Sequence, residues 1–98
     1  MNIVKTKQDN ALTVALEGRL DTTTAPELEA ALTDELDGVT ALTMDLEKLD
    51  YISSAGLRVL LSAHKAMSDK GGMKVTNVND MVREVFEVTG FSDILDIE

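Results

Sequence analysis

Two adjacent hydroxyls, Ser53 and Ser54, sit where the apolar run Leu49-Asp50-Tyr51-Ile52 gives way to Ala55-Gly56-Leu57-Arg58-Val59-Leu60-Leu61, which has helical spacing. The first turn of a helix carries unpaired backbone N–H groups and a partial positive charge. A serine hydroxyl can satisfy one of those groups as a cap. The same charge favours an anion, so a serine there can also be a place where an added phosphate switches a surface. Residue types alone leave both uses open.

Nucleophilic serine chemistry needs a base within hydrogen-bond reach. The only histidine, His64, lies ten residues along the same helical segment. That places it roughly 15 Å from Ser54 at the rise of an α-helix. His64 shares its side of the segment with Leu57, Leu60 and Leu61, so it reads as a partly buried structural residue. No motif places a lysine beside Ser54. A catalytic site is therefore not expected.

Metal binding fares no better. One histidine, no cysteine and acids without calcium-loop spacing argue against a metal, and no cofactor motif is present. Glu29, Asp34, Glu35 and Asp37 read as a solvated helix face. Lys70-Gly71-Gly72-Met73-Lys74 lacks the spacing of a phosphate-binding loop and reads as a helix stop. Asp21 and Asp50 fall at one end of the expected sheet, where ligands of open α/β sheets gather. Turn or cap roles suit them equally well.

The elements that must position these residues follow from periodicity. Leu12, Val14 and Leu16 alternate as in a strand, with Asp9-Asn10 turning it back on residues 3–7 as a hairpin. Glu17 to Asp21 breaks that alternation. Thr24 and Glu27 read as a capping box, with Pro26 in the first turn of a helix carrying Leu28, Ala31, Leu32, Glu35 and Leu36 and ending at Gly38. Residues 40–46 form a strand through Leu42, Met44 and Leu46. The helix that starts near Ser54 presents Leu57, Leu60, Leu61, His64 and Met67 and stops at Gly71-Gly72. Residues 73–78 form a strand. Asn79-Asp80 opens a helix with Val82, Val85, Phe86 and Thr89 on one face and Gly90 at its end. Residues 94–97 return as a short strand or turn. The order β-β-α-β-α-β-α-β implies one α/β domain over residues 1–98, with an antiparallel opening pair followed by parallel strands.

The 98 residues suffice for one core. A formal net charge of −9, with one Tyr, two Phe and no Trp, argues against nucleic acid and against anionic membranes. A partner with a basic face would be steered in instead. The N-terminus lacks a signal peptide, and no run is long enough to span a membrane, so a soluble, cytoplasmic protein is expected. Nothing in the sequence suggests an obligate oligomer, so a monomer is the expectation.

The segment Tyr51-Ile52-Ser53-Ser54-Ala55-Gly56-Leu57-Arg58-Val59-Leu60-Leu61 resembles the signature of STAS domains, specifically bacterial anti-sigma factor antagonists. The similarity continues in Glu17-Gly18-Arg19-Leu20-Asp21, Ala25-Pro26 and Leu28, Leu42 to Leu49, Gly71-Gly72 and Val88-Thr89-Gly90-Phe91, in order along nearly the whole chain. The resemblance implies partner switching. The unmodified antagonist binds an anti-sigma factor, often a serine kinase, and so frees a sigma factor. Phosphorylation by that kinase breaks the complex, and a PP2C-type phosphatase restores it. By the same resemblance Ser54 is the phosphoacceptor, with Ser53, where the family often has aspartate, as second candidate. The expected contact surface is Asp21, Asp50, Ser53, Ser54, Ala55, Gly56, Leu57 and Arg58. An alternative is a STAS adaptor in a transport or signalling complex whose serines are never modified. An enzyme is the weakest reading.

Overall fold

The computed structural model describes residues Met1–Glu98. The strands are β1 (Asn2–Gln8), β2 (Ala11–Leu20), β3 (Ala41–Ile52), β4 (Met73–Thr76) and β5 (Asp96–Ile97). The helices are α1 (Ala25–Glu35), α2 (Ser54–Met67) and α3 (Asp80–Thr89), and a single 3-10 turn spans Phe91–Asp93. The strands lie in the order β1-β2-β3-β4-β5. The first pair is antiparallel and each later pair parallel, as the element order implies.

Every βαβ crossover steps the same way across the sheet. Right-handed connections then place all three helices on one face. The core reflects this: Leu12, Val14 and Leu16 of β2, Leu42, Met44 and Leu46 of β3, and Met73 and Val75 of β4 meet Leu28, Leu32, Leu60, Met67, Val82 and Phe86 of the helices in a single cluster. No polar or charged residue is buried in it. Residues of the other parity, such as Thr13, Ala15, Thr43 and Lys74, stay exposed or half-buried on the open face.

Several elements differ from expectation. β2 does not stop at Leu16, and β3 does not stop at Leu46. The pair continues to Leu20 and Ile52 through two register shifts, between Ala15 and Glu17 and between Gly18 and Arg19. Bulges of this kind disturb a strict alternation while keeping the ladder intact, which is why the pattern breaks without the strand ending. Both shifts put the extra residue on β3 and together return Ile52 to the core (3% exposed), while Leu20 (0% exposed) keeps the even parity of Leu12, Val14 and Leu16 on β2.

The capping box at Thr24 is also absent. The Thr24 hydroxyl donates to the carbonyl of Arg19 (2.8 Å) and makes no cap to α1. β4 ends at Thr76 because Asn77 takes a positive φ of 57°. On α2, Val59 and Ala63 are buried, whereas Leu61 and His64 are only half-buried. The flank towards α1 is thus the drier one, a preference that the apolar spacing did not distinguish.

Candidate functional site

β2 and β3 end side by side, and their ends carry the residues of interest. The Ser53 backbone N–H donates to the Leu20 carbonyl (2.9 Å), which fixes the start of α2 against the exit of β2. Asp21 follows directly on one strand, and Asp50 lies three residues before Ser53 on the other. Asp21 is half-buried and Asp50 exposed. The two acids share one end of the sheet, as the sequence suggests.

The serines divide their duties. Ser53 has extended backbone (φ −100°, ψ 174°) and is the N-cap of α2, its hydroxyl accepting from the Gly56 N–H at 3.4 Å. Ser54 is the first residue inside the helix and is exposed. Its hydroxyl thus sits at the positive end of α2 and within reach of another protein. Ser53→Ala is expected to cost about 0.5–1 kcal/mol of stability, the low end for a lost cap because the bond is long. Ser54→Ala should be near neutral. Chemical unfolding of the two variants beside the wild type measures the difference.

Asp21 ties down the turn that leads into α1, whose N-cap position, Thr24, has no side-chain cap bond. Its carboxylate accepts from the backbone N–H groups of Thr23 (3.0 Å) and Thr24 (3.1 Å). The Thr24 N–H above all, then the Thr23 N–H, the Thr24 hydroxyl and the nearby Arg19, hold the Asp21 carboxyl below the usual carboxylate range despite some desolvation. A carboxyl whose folded value is depressed stabilises the fold fully above its unfolded value and loses that contribution as pH falls through the folded one. The stability difference between wild type and Asp21→Asn should therefore be present at pH 7 and shrink below about pH 4. Urea titrations across that range measure it.

Three of the expected contact residues do different work. Gly56 and Leu57 are buried and Ala55 half-buried, so they shape the turn from beneath. A Cβ on Gly56 would lie 2.6 Å from Leu20 Cγ, and only glycine lets α2 begin this close to the strands. Arg58 is exposed and lines a groove of about 380 Å³ between the starts of α1 and α2, together with Thr22, Ala25, Pro26 and Ala55.

Two contacts at this end of the sheet escaped the sequence reading. Arg19 stacks over the Tyr51 ring (4.2 Å to its centroid) and lies 3.7 Å from Asp21, joining the two strand ends on the open face. Asn79, the N-cap of α3, donates to the Leu49 carbonyl (2.7 Å) and ties that helix to the strand that delivers Ser53. Only the register set by the bulges brings Arg19 opposite Tyr51, so spacing carried no signal for it.

α2 runs unbroken from Ser54 to Met67, so His64 remains about three turns away from the hydroxyl. No three His, Asp or Glu residues are grouped to hold a metal ion. No helix is long and apolar enough to cross a membrane.

The STAS domain model matches residues 2–98. The protein BtrV of Bordetella bronchiseptica, named as a candidate anti-sigma factor antagonist, is 38% identical over 99% of this chain and 85% of its own. The anti-sigma-B factor antagonist of Staphylococcus aureus is 33% identical over 99% of this chain and 92% of its own. The crystal structure of an anti-sigma factor antagonist from Mycobacterium paratuberculosis superposes with a TM-score of 0.89 at 25% identity, covering 98% of this chain and 83% of that one. SpoIIAA of Bacillus shares the fold in its unphosphorylated form, with a TM-score of 0.85 at 19% identity over 99% of this chain and 88% of that one. Its phosphorylated form gives a TM-score of 0.76 at 18% identity over 99% and 91%. With the family model matched from end to end and two relatives above 30% identity, this chain belongs to the STAS domain family.

Proposed function

We propose that this protein is an anti-sigma factor antagonist that works by partner switching. In its unmodified form it binds an anti-sigma factor and thereby frees a sigma factor. Transfer of the γ-phosphoryl group of ATP to Ser54, by a partner that is itself a serine kinase, blocks that binding. A PP2C-type phosphatase returns the protein to its binding form. The chain performs no chemistry of its own in this scheme, acts as a monomer in the cytoplasm and needs no cofactor.

The observation that carries the reading is the division of labour between the serines. A hydroxyl already committed to capping the helix, as in Ser53, is costly to modify. An exposed hydroxyl one residue inside the helix, as in Ser54, is free to receive charge. The relatives named as antagonists support the same role, and a protein of this fold has been solved with and without phosphate. Asp21, Asp50, Ser53, Ser54 and Arg58 form the outward part of the contact surface. Ala55, Gly56 and Leu57 hold it in place.

Affinity capture from the source cells tests the proposal. Wild-type protein should retain an anti-sigma factor, and the Ser54→Asp variant should not. Equal retention by both would favour an adaptor whose serines serve only as caps.

A further inference from the structure

The most apolar exposed surface of the molecule lies on α3, away from the serines in sequence. Val88 is 81% exposed and Met81 59%, the two most exposed large apolar side chains in the protein. At helical spacing they fall with half-buried Val85 along one stripe, beside Val82 and Phe86, which serve the core. With Glu84 and Thr89 they line a groove of about 280 Å³. Contiguous exposed apolar side chains rimmed by polar residues mark protein contact sites.

The charges beside it say what it can meet. Glu84 borders the stripe, with Asp80 and Glu87 further round the same flank, where Arg83, the one cation of α3, lies three and four residues from them on the side away from the stripe. A second copy of this chain would set these acids against their own kind, on molecules that each carry a net charge of −9. Anionic lipid would meet the same repulsion. A protein that presents apolar side chains rimmed by Lys or Arg fits on both counts.

The position of α3 connects it to the serines. Asn79 caps the helix and, through its bond to the Leu49 carbonyl, fastens the first turn, including Met81, to the strand that leads into Ser53 and Ser54. We infer that the anti-sigma factor bound at the Ser54 turn extends onto α3, seating apolar side chains on Met81 and Val88 and basic ones against Glu84 and its neighbours. This rests on the antagonist reading given above. It also implies a two-part interface in which phosphate at Ser54 disrupts one part and α3 sets affinity through the other.

The test uses the anti-sigma factor captured by the wild-type protein, purified, with binding measured by calorimetry. Val88→Glu and Met81→Glu should each raise Kd at least tenfold, with circular dichroism and thermal midpoint unchanged because both side chains are exposed. Glu84→Lys should weaken binding and flatten its salt dependence. Val4→Glu, which adds the same charge to an exposed apolar position on β1 at the far edge of the sheet, should bind like the wild type. Wild-type affinity in Val88→Glu overturns the inference, as does a loss in Val4→Glu equal to that in Val88→Glu, since net charge alone would then account for it. Failure of the wild type to capture any anti-sigma factor overturns the antagonist reading itself, and this inference with it, before any α3 variant is made.

Discussion

Gly56→Val should destabilise the fold by about 3 kcal/mol, at the upper end of what overpacking a tight core costs. A Cβ at Gly56 meets Leu20 Cγ at 2.6 Å, Leu20 Cδ2 at 3.0 Å and Ile52 Cγ1 at 3.1 Å. These are core atoms near the branch points of side chains that have nowhere to retreat. Alanine at the same place gains up to about 1 kcal/mol of helix propensity, which offsets part of the clash, so Gly56→Ala should lose only about 1 kcal/mol. Urea unfolding of the three proteins gives the comparison. The strain falls on the turn that carries Ser53 and Ser54, so Gly56→Val should also bind its partner more weakly than its residual folded fraction predicts. A valine variant as stable as the wild type would mean that α2 does not begin as close to the strands as described.

Phosphorylation of Ser54 should leave the fold nearly as stable as before and yet lower partner affinity by about 100-fold or more. A phosphate adds about −1.5 to −2 charge. At the first residue of α2 the helix N-terminus attracts it by roughly 0.3–1 kcal/mol, while the net charge of −9 opposes it. The two effects are of similar size, so the change in folding stability should stay under about 1 kcal/mol. An interface behaves differently, because a doubly charged group pressed against a partner without compensation costs several kcal/mol in desolvation and repulsion. Calorimetry of both forms against the anti-sigma factor, with thermal unfolding of each, separates the two. A large drop in thermal midpoint on phosphorylation would point to a switch that works by refolding.

Much of this was legible in the sequence. The alternation of Leu12, Val14 and Leu16, the left-handed stop at Gly90 and the Asn79 cap each report a local rule that the fold obeys, whereas α1 and α2 end at Glu35 and Met67, a few residues before Gly38 and Gly71-Gly72. The hydroxyl pair at a helix start could be located, but which serine caps could not. That depends on the backbone of Ser53 being extended, and this follows from its N–H pairing with Leu20 across the sheet. The same non-local pairing hid the full length of β3, since the bulges broke the alternation that identifies a strand, while on β2 Gly18 left no apolar side chain between Leu16 and Leu20. It hid the Arg19–Tyr51 stack for the same reason. At Thr24 the spacing located the N-cap position but not the side chain's partner, because the hydroxyl turns back to the Arg19 carbonyl and Asp21 holds the preceding turn. Spacing already left Met81 and Val88 off the face of Val82, Val85 and Phe86, but how far each is exposed depends on what packs against α3.

The central claim is that Ser54 receives a phosphoryl group from the binding partner while Ser53 holds the helix. Incubation with the cognate kinase and ATP, followed by mass-spectrometric mapping, tests it most directly. One phosphate on Ser54, retained in Ser53→Ala and lost in Ser54→Ala, is the predicted result. Phosphate mapped to Ser53, or none at either serine, would contradict the account.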